Sequence, residues 1–213
     1  MNNIKEYNLV KDLGFIKTGV KKFYNTKKYY STGSIKGEIF IPEGEYDYDT
    51  RPSRANREVE EGDILQARML GTNKVILIDK KLKGSLFSTG FFQFRPPKNL
   101  VLPKLLYYFL SSNLFLDKKD DLCSGSTQKS INDSNLEKIK IPLPCISKQK
   151  LIVAKLDLMF SKMSKINTAT KFKFDSLDLV FEKVLNDLTK HKAISVKLSE
   201  VCDIQVKLVS PTD

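Results

Sequence analysis

Five arginines, Arg51, Arg54, Arg57, Arg68 and Arg95, are the residues of this chain best suited to selective polar recognition, and all lie in its first half. A guanidinium is planar and donates two parallel hydrogen bonds, which matches a guanine edge or a phosphate in a way a lysine cannot. The same five side chains, scattered over 45 residues, would also serve simply to keep a surface soluble. A second candidate is the run Gly125-Ser126-Thr127-Gln128-Lys129-Ser130-Ile131-Asn132. It is small and polar, and its amides, hydroxyls and lysine could hold a phosphate. A capped turn into a short helix at Asp133-Ser134-Asn135-Leu136-Glu137 explains the same residues, and on chemistry alone that reading is favoured.

Other chemistry is sought and not found. There is no Gly-x-x-x-x-Gly-Lys-Ser/Thr phosphate loop. The Asn- or Asp-Pro-Pro-aromatic tetrapeptide that holds a flipped base in adenine methyltransferases is missing, since Pro96-Pro97 runs into Lys98. One histidine, His191, leaves little room for acid–base catalysis. Cys123, Cys145 and Cys202 form no Cys-x-x-Cys pair, which disfavours both a metal site and a disulfide framework. Asp47 and Asp49, in Tyr46-Asp47-Tyr48-Asp49, read as a solvated loop rather than a metal site. Cys123, before Ser124-Gly125-Ser126, lacks a base to make it a nucleophile. A non-catalytic chain without cofactor or metal is expected.

Charge supplies the direction. Thirty-six basic against 25 acidic residues give a net +11 and a pI near 9.4, which favours a polyanionic partner through counterion release. Residues 1–147 carry +7, residues 148–192 carry +5 and the remainder −1. A membrane surface would also attract this charge, but no run of 18 apolar residues or amphipathic anchor occurs. The opening MNNIKEYNLV lacks the apolar stretch of a signal peptide, so a reduced, cytoplasmic compartment is expected.

The elements that must position these residues change character along the chain. Residues 62–68, 74–78 and 91–95 read as short strands, the last stopped by Pro96-Pro97. Pro103 opens a helix with apolar residues at helical spacing to Leu110. From Lys148 to about Leu188 there is neither Pro nor Gly, and Ile152, Leu156, Met159, Met163 and Ile166 step by four and three. The seam resumes at Phe174, Leu177, Phe181, Val184 and Leu188 after a stutter. Roughly 40 residues at about 1.5 Å each would make a rod of about 60 Å, whose seam needs a partner helix. Residues 196–204 are strand-like and echo residues 9–16. The expected architecture is α+β: a domain at 1–147, a long coiled-coil-forming helix at 148–190, and at 191–213 the start of a second domain.

With these pieces in order, the chain resembles the specificity (S) subunit of type I restriction-modification systems. The likeness rests on Gly62-Asp63-Ile64-Leu65, Ser88-Thr89-Gly90-Phe91-Phe92, Leu106-Tyr107-Tyr108-Phe109-Leu110, residues 125–131, Ile139-Lys140-Ile141-Pro142-Leu143-Pro144 and Gln149-Lys150-Leu151-Ile152-Val153-Ala154-Lys155-Leu156-Asp157. It covers roughly residues 8–190. The resemblance implies a target-recognition domain that reads half of a split sequence in double-stranded DNA, followed by a spacer helix. It implies an antiparallel coiled coil of two such helices, with catalysis left to adenine-methylating partner subunits and, through them, a restriction subunit. Family members carry two domains and two helices. One of each is seen here, so a truncated or split allele, or a half-subunit that dimerises through residues 152–188, is expected.

A loop shared by readers of different targets cannot choose bases, so Ser126, Thr127, Gln128 and Lys129 are expected to touch phosphate or to be structural. Base contacts are expected from Arg51, Arg54, Arg57, Arg68, Thr72, Asn73 and Lys74. Two other functions compete: the recognition end of a single-chain restriction-methylation enzyme, and a helix-mediated assembly protein that no longer reads DNA.

Overall fold

The structure is a computed structural model and describes residues 4–37, 39–125 and 129–166. Along the chain run strands β1 (Lys5–Asn8), β2 (Phe15–Ile16), β3 (Lys27–Tyr30), β4 (Ile35–Lys36), β5 (Ile39–Phe40), β6 (Gly44–Tyr46), β7 (Ala55–Glu58), β8 (Ile64–Ala67), β9 (Val75–Leu77), β10 (Leu86–Ser88) and β11 (Phe91–Phe94). Helices α1 (Pro103–Ser111), α2 (Asn113–Asp121) and α3 (Asp133–Leu136) follow, then strand β12 (Lys140–Leu143) and helix α4 (Ile146–Ile166).

One sheet, ordered β2-β11-β8-β9 and antiparallel throughout, is the wall between two cores. Side chains alternate across a strand. Ile64, Phe92 and Phe94 therefore join the core shared with α1, α2 and α4, whereas Leu65, Ala67, Ile76 and Phe91 face the other way. That opposite side meets a second sheet, ordered β6-β3-β10-β7, in which β3 and β10 run parallel. Phe87 of β10 stacks on Tyr30 with ring centroids 5.1 Å apart and meets Phe91 edge-on at 6.2 Å. Both faces of the wall are covered, which is why β8 and β11 are buried at every position.

Strands expected at 62–68, 74–78 and 91–95 all form, each shorter than its pattern, and the helix from Pro103 forms and runs one residue past Leu110. The echo of a strand at 9–16 corresponds instead to turns at 9–14 and only two strand residues, Phe15–Ile16. The Asn8 side-chain carbonyl accepts from the amides of Val10 and Lys11, both at 3.0 Å, and so caps the turn that starts there. Leu9 and Leu13, four residues apart, are consequently buried together. Helix α2 has no counterpart among the expected elements.

Strand β1 pairs antiparallel with β12, Lys5 opposite Leu143, and brings the two ends of the domain together at the root of α4. There Gln149 is fully buried and fully bonded. Its amide nitrogen donates to the carbonyls of Leu100 (2.8 Å) and Pro144 (2.9 Å), and its oxygen accepts from Leu102 N (3.0 Å). Beyond it, Ile152 and Leu156 are completely buried in the core beside α1, with Met159 and Phe160 packed partly against it. Phe160 stacks on Tyr108 at 5.3 Å, Lys104 pairs with Asp157 at 2.7 Å, and the Tyr108 hydroxyl donates to the same carboxylate. The seam positions Ile152, Leu156 and Met159 are thus satisfied within the chain by its own domain. Met163 and Ile166 lie on the same helix; Phe174, Leu177, Phe181, Val184 and Leu188, with residues 191–213, fall outside the described residues.

Candidate nucleic-acid interface

Pairing directions gather several loops at one end of the two sheets. Strands β9 and β11 run antiparallel to β8, so the end of β8 lies beside the starts of both. Strand β10 leads into β11 through Thr89-Gly90; β7 starts, and β3 ends, at that same end because they pair antiparallel and parallel with β10. Backbone bonds tie the loops across this rim. Thr89 N donates to Arg54 O (2.9 Å) and Arg68 N to Gly90 O (3.0 Å). A Cβ on Gly90 would lie 3.0 Å from the Thr32 methyl, so glycine permits this close approach.

The loop after α2 completes the rim. Ile131 N donates to Arg68 O (3.1 Å), Leu70 N donates to Lys129 O (3.0 Å), and Met69 bridges Ser130. Residues 68–73 and 129–131, separate candidates in the sequence, are therefore one structural unit. Helix α2 anchors it from below. The Lys119 side chain is wholly buried, donates to Met69 O at 2.7 Å, and pairs with Asp120 at 2.7 Å. Both Asp120 carboxylate oxygens accept from Gly71 N at 3.1 Å.

The expected contact residues divide on this frame. Arg54 and Lys129 are exposed at the rim, as is Asn73, whose amide donates to Ser111 O at 3.4 Å, with Thr72 half-buried beside them. Arg51 is half-buried on the connection from β6 to β7, its guanidinium 3.8 Å from the Tyr48 ring centre and donating to Tyr48 O. Lys74 and Arg68 are occupied. Lys74 donates to the carbonyls of Thr32 and, at 2.7 Å, Ile35, and burial pulls its pKa down. Arg68 pairs with Asp133 at 2.8 Å and lies over the Phe92 ring at 4.1 Å; burial lowers its pKa and Asp133 opposes that shift.

Arg57 requires a correction, because it is 1% exposed and cannot reach a groove from where it sits. Its Nη1 donates to Ile16 O at 3.0 Å, while Nε and Nη2 have no partner. Burial, and then the charge of Arg68, push its pKa down to about 10. Its pairing explains this placement: Arg57 lies directly opposite Phe87, shares its face of the sheet and so faces the inter-sheet core. Ser126, Thr127 and Gln128 fall outside the described residues. Asn132 does cap α3, its side chain accepting from Asn135 N at 2.8 Å, as the capped-turn reading of this run requires.

Burial raises the Cys123 thiol, so it is not an activated nucleophile. Asp47 accepts from the amides of Asp49 and Thr50 and from the Thr50 hydroxyl, the bonding of a solvated Asx turn. Among the described residues no group of three His, Cys, Asp or Glu could hold a metal ion, and no helix is long and apolar enough to cross a membrane.

A family model described as the type I restriction modification DNA specificity domain matches residues 8–172. The chain belongs to this family. The EcoKI specificity subunit of Escherichia coli K12 is 25% identical over 104 residues, covering 49% of this chain and 21% of the relative. The HindI specificity subunit of Haemophilus influenzae is 27% identical over 119 residues, covering 53% and 25%. The chain thus covers about a quarter or less of these relatives. Two solved structures share the fold over 92% of this chain and 52% of their own. One comes from work on complex assembly and conformational transition of the type I R-M system (TM-score 0.67, 20% identity), the other is the HsdS subunit from Thermoanaerobacter tengcongensis (0.63, 19%). In this chain exposed Arg54, Asn73 and Lys129 all lie on loops at the rim of strand ends.

Proposed function

We propose that this chain reads one half of a split DNA sequence for a type I restriction-modification complex, with methylation and restriction carried out by partner subunits. The observation that carries the reading is the convergence of Arg54, Thr72, Asn73 and Lys129 on one rim of a domain of this family. The braced backbone beneath them lets a recognition surface keep one shape, so that little ordering is lost on binding. The net charge of +11 supplies the non-specific attraction on which specific contacts build.

The test is selection from a randomised duplex pool by the chain in the presence of competitor DNA, followed by mapping of methylated adenines when its methyltransferase is added. Enrichment of one short sequence, coincident with the methylated sites, is the expected outcome. Binding that is salt-dependent but indifferent to sequence would leave an assembly protein as the better description. In that experiment Arg54→Ala should change the selected sequence.

Helix α4 supports a spacer and docking role in the same complex. With Ile152, Leu156 and Met159 turned inward, Leu151 (58% exposed) and Leu158 (54%) stand seven residues apart on the solvent side. That spacing suits a partner helix, from a second copy or another half-subunit. A stable monomer by light scattering at micromolar concentration would remove the homodimer. The same role places the chain in the cytoplasm with the DNA it reads.

A further inference from the structure

Residues 69–72 form a β-turn in which Thr72 N donates to Met69 O at 3.3 Å. Gly71 takes φ 68°, the positive value required at the third position of a type II turn. Every part of this turn is held. Met69 O also accepts from buried Lys119 (2.7 Å), Leu70 N is bonded to Lys129 O (3.0 Å), and Gly71 N is bonded to Asp120 (3.1 Å). Burying a whole lysine side chain is unfavourable unless its charge is paired and bonded, and here that pairing serves to fix one turn. What the rigid turn displays is apolar: Met69 and Leu70 are 41% and 43% exposed.

Two adjacent apolar side chains on a pinned turn, flanked by exposed Asn73 and Lys129, suit a ligand that is both anionic and locally apolar. Duplex DNA offers this combination in the major groove, where the thymine 5-methyl group is the one apolar feature among polar base edges. We propose that Met69 and Leu70 form an apolar reading tip that contacts thymine methyl groups in the target half-site, with Lys119 and Asp120 as positioning residues. This rests on the DNA-reading function proposed above and adds to it the residues and the base feature that they detect.

The duplex selected by the wild-type chain is the probe, together with versions in which each thymine is replaced in turn by uracil, which removes only the methyl. Wild type should lose roughly fourfold in affinity on replacement of either of one or two thymines, the scale of one buried methyl group. Met69→Ala or Leu70→Ala, at exposed positions that leave the turn glycine in place, should fold with an unchanged melting temperature and no longer distinguish uracil from thymine at those positions. Their affinity for a scrambled duplex should match wild type. The assignment is overturned if wild type ignores every methyl, if both alanine variants keep full methyl sensitivity, or if the selected half-site holds no A·T pair. A wild-type chain that selects no sequence at all instead overturns the DNA-reading function itself.

Discussion

Arg68 pairs with Asp133 at 2.8 Å while its guanidinium lies 4.1 Å from the centre of the Phe92 ring. This contact joins the end of β8 to the start of α3 and so ties the 129–131 loop to the sheet. The charge of Asp133 also partly opposes the lowering of the Arg57 pKa, although Nε and Nη2 of that guanidinium have no hydrogen-bond partner. One carboxylate thus balances two arginines. Asp133→Asn keeps a hydrogen-bond acceptor for Arg68 but removes the charge. Because Asp133 is 46% exposed, solvent screening should hold the loss to about 1 kcal/mol. Urea denaturation should show a lower midpoint with an unchanged slope, and an unmoved midpoint would show that the pair contributes nothing.

Arg57→Met follows from the same cluster and carries the opposite expectation. The guanidinium makes one hydrogen bond, to Ile16 O, and leaves two buried nitrogens unpaired. An apolar side chain of similar volume should leave stability equal or raise it by about 1 kcal/mol near neutral pH. Since the folded chain holds this proton less tightly than the unfolded one, protonation destabilises the fold below about pH 10. That penalty fades as pH rises above about 10, so the gap between variant and wild type should narrow there. A loss of more than about 2 kcal/mol in the variant would mean that the buried nitrogens have partners. DNA discrimination should be unaffected.

The contrast between these arginines marks what could be read without the fold. Residues 64–67, 75–77 and 91–94 announced themselves through β-branched and aromatic runs, and Pro103 announced α1, because local preference and burial agree there. Arg57 did not, since an arginine between Asn56 and Glu58 reads as surface until its pairing opposite Phe87 turns it inward. Lys119 was equally hidden: in Asp117-Lys118-Lys119-Asp120-Asp121 nothing distinguishes the one buried lysine from its solvated neighbours. The rim itself depends on long-range pairing, above all the parallel match of β3 with β10. The apolar seam of α4 was legible from its spacing; that its first positions dock on α1 was not, because spacing identifies a face and not what covers it.

Gln149 gives a prediction about how α4 is held to the domain. Its buried side chain satisfies two carbonyls and one amide from two other segments, the bond to Pro144 O fully buried and the other two partly so. Gln149→Leu fills similar space and abandons all three. Unpaired buried backbone groups should lower stability by about 2–4 kcal/mol. Gln149→Glu should be no better, because a carboxylate would face the carbonyls of Leu100 and Pro144. Thermal unfolding reads both variants, and a change within experimental scatter for Gln149→Leu would mean that water replaces the lost bonds.

Lys129 tests whether the rim meets the DNA backbone. Its carbonyl is bonded to Leu70 N, but its side chain is exposed beside the turn at 69–72, so removing the ammonium should leave the loop intact. A lysine that neutralises one phosphate adds about 0.9 to the steepness with which log affinity falls against log salt. Lys129→Ala should therefore flatten that line by about one unit, and by the same amount on the selected duplex and on a scrambled one. Lys80, exposed just past the far end of β9, is the matched control, and Lys80→Ala should leave the slope unchanged. Equal effects from the two lysines would mean that the charge acts through the overall field and not through contact at the rim. A loss confined to the selected duplex would instead assign Lys129 to the bases.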